Sequence, residues 1–333
     1  MISVALCTYN GEKYIREQLE SILSQTEPVD EIVICDDRSS DRTVETAAGI
    51  RDSHRGKTRI RIEVNDRNLG VSKNFEKALS LCSGDIIFLS DQDDIWDPEK
   101  VRRVREALEK DPRCLLVFTD AKLIDGEGND LGQSLWDVSK PRLKETYSAA
   151  DFTGLRFITG ATAAIRRELL EHTLPVPECW IHDAWLAINA AVYGGVAHLD
   201  EKLISYRQHE ANVIGAAKRP LREQIRHTGE NIGRSVRFRT TMKERFQSFL
   251  DRSEAALSEE DREEVRDCLR FWEESEKLGS QPVPRGLGTI ARHLVKKKYR
   301  KYNHGIYGAM VDLFIVFGKK GAERPAEGSY DHQ

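Results

Sequence analysis

Short apolar runs alternate with amphipathic stretches along the first third of the chain. Residues 2–7 (Ile-Ser-Val-Ala-Leu-Cys) read as a strand, and after Gly11 the positions Tyr14, Ile15, Leu19, Ile22 and Leu23 recur at helical spacing. The next run, Glu31 to Cys35, stops at Asp36-Asp37. The segment from Asp41 to about Ile50 then has helical character, with Ser40 as its expected N-cap. A third strand (Ile60, Ile62, Val64), a helix (Phe75, Ala78, Leu79, Leu81), a fourth strand (Asp85 to Leu89), a helix from Pro98 to Leu108 and a fifth strand (Cys114 to Phe118) follow. Repeated β-α-β units of this length predict an α/β fold, a mostly parallel sheet flanked by helices on both faces.

Ligands of such sheets bind beyond the carboxyl ends of the strands, and there this chain is strongly polar. Thr8-Tyr9-Asn10 follows the first strand, Asp36-Asp37 the second, Asn65-Asp66-Arg67-Asn68 the third and Ser90-Asp91-Gln92-Asp93-Asp94 the fourth. Carboxylates gathered within about 10 Å repel one another unless a positive group stands among them, and a divalent cation is the natural candidate. Asp91 and Asp93, at i and i+2 on a strand end, suit one hard cation whose other positions go to water and phosphate oxygens. Read alone, the same acids could merely cap the helix expected near Pro98. Neither a Gly-x-x-x-x-Gly-Lys-Ser/Thr loop nor a Gly-x-Gly-x-x-Gly turn after a strand is present, which weakens nucleotide triphosphatase and dinucleotide oxidoreductase readings.

Composition narrows the field further. The 333 residues are 39% hydrophobic and 32% charged, with a net charge of −4. That excludes disorder as the main state and gives no basic excess of the kind nucleic-acid binding leaves. At about 150 residues per domain the length suggests about two domains. The cysteines at 7, 35, 82, 114, 179 and 268 lack a Cys-x-x-Cys pair or zinc-ligand spacing and read as ordinary buried thiols. The opening residues lack a signal peptide's basic start, and the longest apolar stretch, near 309–317, is short for a membrane span and contains Asp312. The expected place is the cytoplasm.

The segments Val4-Ala5-Leu6-Cys7-Thr8-Tyr9-Asn10-Gly11, Ser21 to Thr26, Ile34 to Thr43, Asn68-Leu69-Gly70-Val71 and Leu89 to Trp96 closely resemble glycosyltransferase family 2, the inverting enzymes of the GT-A fold. The motifs stand in the family's order and the resemblance spans residues 1 to about 215. It implies a Rossmann-like GT-A catalytic domain over 1–215, with a nucleotide-sugar half to about 120 and an acceptor half after it. A helical C-terminal region would occupy 216–333. By the same resemblance Thr8 and Tyr9 line the nucleotide pocket, Asp37 hydrogen-bonds the base, Glu12 reaches the ribose, and Asn68 to Gly70 close the donor pocket. Asp91 and Asp93 would form the motif for Mg²⁺ or Mn²⁺. Phe157 to Arg167 resembles the strand and small-residue turn of the acceptor side. Asp183, at the start of the following apolar helix, matches the family's general base.

Ile204 to Gly215 resembles a loop of bacterial rhamnosyltransferase-like members. Arg207 there would neutralise diphosphate charge, and His209 would contact phosphates or complete the metal shell. The Gln-x-x-Arg-Trp motif of processive synthases is absent, which argues for single transfers. The implied reaction moves one sugar from a nucleotide-diphosphate donor to a hydroxyl of a cell-surface glycan or lipid-linked acceptor, with dTDP-rhamnose the first donor expected and UDP-hexoses second. Two rivals are a sugar nucleotidyltransferase, whose Gly-rich, Arg-containing first loop is missing, and a receiver-like signalling module, which predicts a much shorter chain. From Pro220 onward long charged helices are expected, with Leu221, Ile225, Ile232, Val236, Met242, Phe246 and Leu250 packing on the catalytic domain or in a homo-oligomer. The stretch from Arg292 to Tyr302, with the apolar segment Ile306 to Phe317, is expected to lie on the anionic inner face of the membrane.

Overall fold

A computed structural model describes residues 1–154, 158–208 and 232–318. They fall into two compact units, one built from 1–147 and 158–208 and the other from 148–154 and 232–318. Leu221, Ile225 and His209 lie outside the described residues.

The first unit is laid out by β1 (Ile2–Thr8), α1 (Ile15–Leu23), β2 (Glu31–Asp36), α2 (Thr43–Ser53), β3 (Arg59–Val64), α3 (Val71–Leu81) and β4 (Ile86–Ser90). β1 pairs in parallel with both β2 and β4, and β3 adds outside β2. These strands are the apolar runs of the sequence. Every residue of β1, β2 and β4 is buried, as a parallel sheet covered on both faces requires. Thr8 stands opposite Asp36 and Leu6 opposite Ser90, so β1, β2 and β4 end together and their polar loops emerge along one edge.

Beyond β4 the sheet becomes mixed. β5 (Ile95–Trp96), α4 (Lys100–Lys110), β6 (Cys114–Ile124), β7 (Asp130–Ser134), α5 (Leu135–Ser139), β8 (Ala163–Arg166), α6 (Leu170–Thr173), α7 (His182–Tyr193) and β9 (Gly195–Arg207) follow. The order is β3-β2-β1-β4-β8-β6-β9-β5, with β7 on β6; β8 is antiparallel to both its neighbours, whereas β6 and β9 run parallel. The helix expected from Pro98 begins at Lys100, because Ile95 and Trp96 pair with β9 and Asp97 N donates to Leu203 O at 3.0 Å. Ser40 does not cap the second helix. Its N–H and hydroxyl go to Asn10 Oδ1, and the Asp41 carboxylate accepts Thr43 N at the helix start instead. Five of the cysteines are buried and Cys179 is half-buried, all as free thiols.

The second unit contains α8 (Ile232–Ser253), α9 (Glu259–Glu276), α10 (Val283–Val295), α11 (Lys298–Tyr302) and α12 (Ile306–Phe317). Met242, Phe246, Phe249 and Leu250 of α8 and Val265, Cys268, Phe271 and Trp272 of α9 are buried. The turn at 149–152 joins them through Ala150 N, which donates to Asp261 Oδ1 at 2.9 Å. The apolar helix expected on a membrane surface is mostly core: Gly308, Ala309, Val311, Asp312, Ile315 and Val316 of α12 are buried. Asp312 in this apolar run pairs with buried Arg239, whose Nε donates to Oδ1 at 2.7 Å, while Tyr299 OH donates to Oδ2. Much of the basic stretch is also bound within the unit, Arg292 and His293 to Glu274, Lys298 to Asp267 and Lys301 to Glu264. Among the described residues no helix is long and apolar enough to cross a membrane.

Arg239 and Asp312 are 2% and 0% exposed, and removing one partner of a buried pair leaves the other charge without compensation. Arg239→Ala is expected to cost about 3–5 kcal/mol, read as a lower denaturant midpoint for the second unit's transition. A loss below about 1 kcal/mol would show that water reaches the pair.

Candidate functional site

Loops after β1, β2 and β4 are stitched to one another by side chains. Thr8 Oγ1 donates to Asp36 Oδ2 at 2.7 Å. Gln92, the middle residue of Asp91-Gln92-Asp93, grips the peptide of Tyr9: Tyr9 N donates to Oε1 at 2.8 Å and Nε2 donates to Tyr9 O at 3.0 Å. A Cβ on Gly11 would stand 2.2 Å from that Oε1, so the grip requires glycine there. Asn10, at φ 49°, accepts from Ser40, and Gly11 N donates to Thr43 Oγ1. Glu12 Oε2 accepts Arg42 N at 3.0 Å, which ties this expected ribose contact into the β2 loop. The Tyr9 side chain is left half-exposed at the edge.

Asp37 is 3% exposed and its carboxylate is occupied by its own chain. Oδ1 accepts from Asn65 Nδ2 and Leu69 N at 2.8 and 2.7 Å, and Oδ2 accepts from Gly70 N at 2.9 Å. Asn68 Oδ1 accepts from the same Gly70 N at 3.0 Å, and Gly70 turns the chain into α3 at φ +80°. In this structure Asp37 therefore anchors the Asn68–Gly70 loop.

Asp91, Asp93 and Asp94 leave β4 together, and β5 pins the far end of the loop. Burial pushes the Asp91 carboxyl up to about 7, with the Asp93 and Asp183 charges acting in the same direction. Asp94, 1% exposed, is pushed well above the ordinary carboxylate range by burial and by Asp93 and Asp91, and its Oδ2 has no hydrogen-bond partner. Lys100 lies close enough for its charge to oppose these shifts; burial brings its own pKa down to about 7. Its Nζ stands 4.2 Å from the Trp96 ring centroid and donates to Ala161 O at 2.8 Å, so it joins the acidic loop to the small-residue turn 160–162.

That turn meets Asp183. Gly160 N donates to Asp183 Oδ2 at 3.2 Å, and a Cβ on Gly160 would lie 3.0 Å from His182 Nε2 and 3.4 Å from Asp183 Cβ. His182 is buried, stacked on Phe75 at 4.0 Å with neither ring nitrogen hydrogen-bonded, and burial lowers its pKa. Asp183 sits inside the first turn of α7, and its Oδ1 accepts the N–H of Ala184 at 2.6 Å.

Arg207, expected to neutralise diphosphate charge, is engaged by its own chain. Its guanidinium, 2% exposed, backs the acidic loop: Nε donates to Asp93 O at 2.7 Å, Nη2 to Glu17 Oε2 at 2.5 Å, and the group stacks 4.6 Å from the Tyr14 ring centroid. The Arg207 N–H also donates to Asp94 Oδ1 at 3.1 Å. The Tyr14-Glu17 face of α1 and the carbonyls of Asp125 and Gly126 claim this cation, contacts distant in sequence that no local motif announces. Gln92, Lys100 and Asp94 were likewise not singled out from sequence as supports of the site.

The donor set fits a hard divalent cation: it is all oxygen, it includes a raised carboxyl at Asp91, and a buried orphan oxygen lies alongside on Asp94. Among the described residues no three His, Cys, Asp or Glu side chains are grouped as a ready-made metal shell. A cation held here would take Asp91 and Asp93 from the protein and its remaining ligands from water and substrate.

Residues 3–174 match the family model described as Glycosyl transferase family 2. The dTDP-rhamnosyl transferase RfbG of Shigella flexneri is 29% identical over 224 residues, covering 63% of this chain and 74% of that protein. Against other curated relatives the match spans 18–66% of their length. Among solved structures, S. aureus TarS in complex with UDP-GlcNAc shares the fold at a TM-score of 0.54 and 17% identity, over 95% of this chain and 90% of that one. The mannosyltransferase PcManGT from Pyrobaculum calidifontis, in complex with GDP-Man and Mn²⁺, does so at 0.50 and 16%, over 96% and 88%. With half of its length matched by that model, and with its strand-end loops gathered on a GT-A-like sheet, the chain belongs to glycosyl transferase family 2.

Proposed function

We propose that this chain transfers a single sugar from a nucleotide-diphosphate sugar to a hydroxyl of a cell-surface glycan or lipid-linked precursor, with inversion at the anomeric carbon, in the cytoplasm. The observation that carries the reading is that one small-residue turn ties the acidic loop to the start of α7, since Lys100 Nζ donates to Ala161 O and Gly160 N to Asp183 Oδ2. Asp91 and Asp93 arrive on the β4 loop, and Asp183 arrives on α7, near enough that its charge acts on Asp91. Membership of the family supports the reaction class.

In the proposed reaction Asp183 takes the proton of the acceptor hydroxyl as the oxygen attacks the anomeric carbon, and the bond from that carbon to the phosphate oxygen breaks with its electron pair. Gly160 N holds Asp183 Oδ2, which orients the carboxylate for this transfer. Asp93 and Asp91 would hold Mg²⁺ or Mn²⁺, which when bound offsets the negative charge of the diphosphate. Arg207 acts as a positioning residue for the Asp93 backbone, and Gln92 fixes Tyr9 where a base can stack. The name of the Shigella flexneri relative favours dTDP-rhamnose as donor. A UDP-linked hexose is the second reading, favoured by the UDP-GlcNAc complex of the TarS fold.

If Asp93 carries the metal motif, Asp93→Asn should abolish most metal-dependent binding of dTDP or UDP in calorimetric titration. Binding that stays equally tight and equally metal-dependent would take the role away from Asp93. Asp183→Asn keeps a hydrogen-bond acceptor for Gly160 N while losing the base. Turnover should fall about 10²-fold or more, within the 10²–10⁴ range of general-base contributions, with donor affinity unchanged. Normal turnover in that variant would assign the proton transfer elsewhere.

A further inference from the structure

In the second unit many described charges are paired internally, and three cations outside those pairs, Lys296, Lys297 and Arg300, lie close together in the chain. On α10 the buried positions Gly286, Thr289, Ile290 and His293 face inward, while Leu287 and Ala291, four apart, and then Leu294 and Val295, three and four residues after Ala291, are exposed. Packing within the unit leaves this apolar stripe in water. Val295 is 82% and Ile306 76% exposed, more than any other large apolar side chain described.

The chain folds back on itself where the stripe ends. Lys297 N donates to Leu294 O at 3.0 Å, Lys301 N to Lys297 O at 3.3 Å and Gly305 N to Tyr299 O at 2.8 Å, so residues 294–306 form one tight turn region. Lys298 and Lys301 point back to Asp267 and Glu264. Lys296, Lys297 and Arg300 are exposed, and no side-chain hydrogen bond or ion pair holds them among the described residues.

We propose that this corner docks on an anionic lipid bilayer, with Leu294, Val295 and Ile306 entering the headgroup layer and Lys296, Lys297 and Arg300 meeting lipid phosphates. Exposed apolar side chains flanked along the chain by exposed cations outside the ion pairs match that surface in both respects. A second copy is the poorer occupant, because a two-fold contact through the same patch would bring the same cations of both copies together. The docking does not rest on the transfer reaction, and an Asp183→Asn chain retains it.

Flotation of the full chain with phosphatidylcholine vesicles, with and without phosphatidylglycerol, tests the proposal. Recovery should require the anionic lipid and fall with salt. Combined Lys296→Ala, Lys297→Ala and Arg300→Ala should weaken it about a hundredfold, since each charge near such a surface is worth about fivefold. Val295→Ser with Ile306→Ser should leave weak binding that moderate salt removes. Equal recovery on neutral vesicles, or variants that float like the parent, would overturn the proposal. So would a parent chain whose mass doubles with concentration and reverts to monomer in the Val295→Ser, Ile306→Ser variant, since a second copy would then cover the stripe.

Discussion

Half-buried Asp91, Asp93 and Asp183 converge with buried Asp94, and mutual repulsion there would spread them apart unless the surrounding chain held each in place. The fold meets that constraint from several directions. β4 and β5 fix both ends of the acidic loop, Arg207 draws the Asp93 carbonyl from behind, and Lys100 brings one buried positive charge close to the cluster. Burial, with the Asp93 and Asp183 charges acting in the same direction, keeps the Asp91 carboxyl raised. A site in this condition is prepared for positive charge, and a protein interior keeps such tension where substrate or cofactor binding relieves it.

Buried charge in the second unit has been resolved differently. Arg239, Asp312 and Tyr299 satisfy one another inside a helical core, so polar groups in the middle of an apolar helix stay bound within the fold. The contrast separates a structural ion pair, complete in itself, from the carboxylate cluster of the first unit, in which Asp94 Oδ2 has no partner.

The parallel strands were legible because β1, β2 and β4 are short apolar runs broken by turn-forming polar residues, a pattern with a direct physical cause. The acidic loop and the Asp183 helix were legible because their chemistry is concentrated in a few adjacent residues. What escaped was set by contacts across the sequence. β5 exists because β9 offers it a partner more than 100 positions away, and Ser40 donates to Asn10 Oδ1 rather than capping the second helix. The sequence placed Arg207 near the donor phosphates without announcing its partners Glu17 and the Asp93 carbonyl, each over 100 residues distant. The basic stretch near 296–301 looked uniform in sequence, whereas acids on α9 divide it into inward-paired and outward-facing lysines.

The grip of Gln92 on the Tyr9 peptide carries a consequence for how this chain can evolve. The amide fits only because position 11 has no side chain, with 2.2 Å between Gln92 Oε1 and where a Cβ would stand. Positions 11 and 92 are thus a lock and its clearance. A lineage that enlarges residue 11 gives up the Gln92 clasp on Tyr9, unless residue 92 changes with it, while the bonds of Asn10, Gly11 and Glu12 to the β2 loop still hold the first loop, so these two sites are expected to drift as a pair across descendants of this sequence.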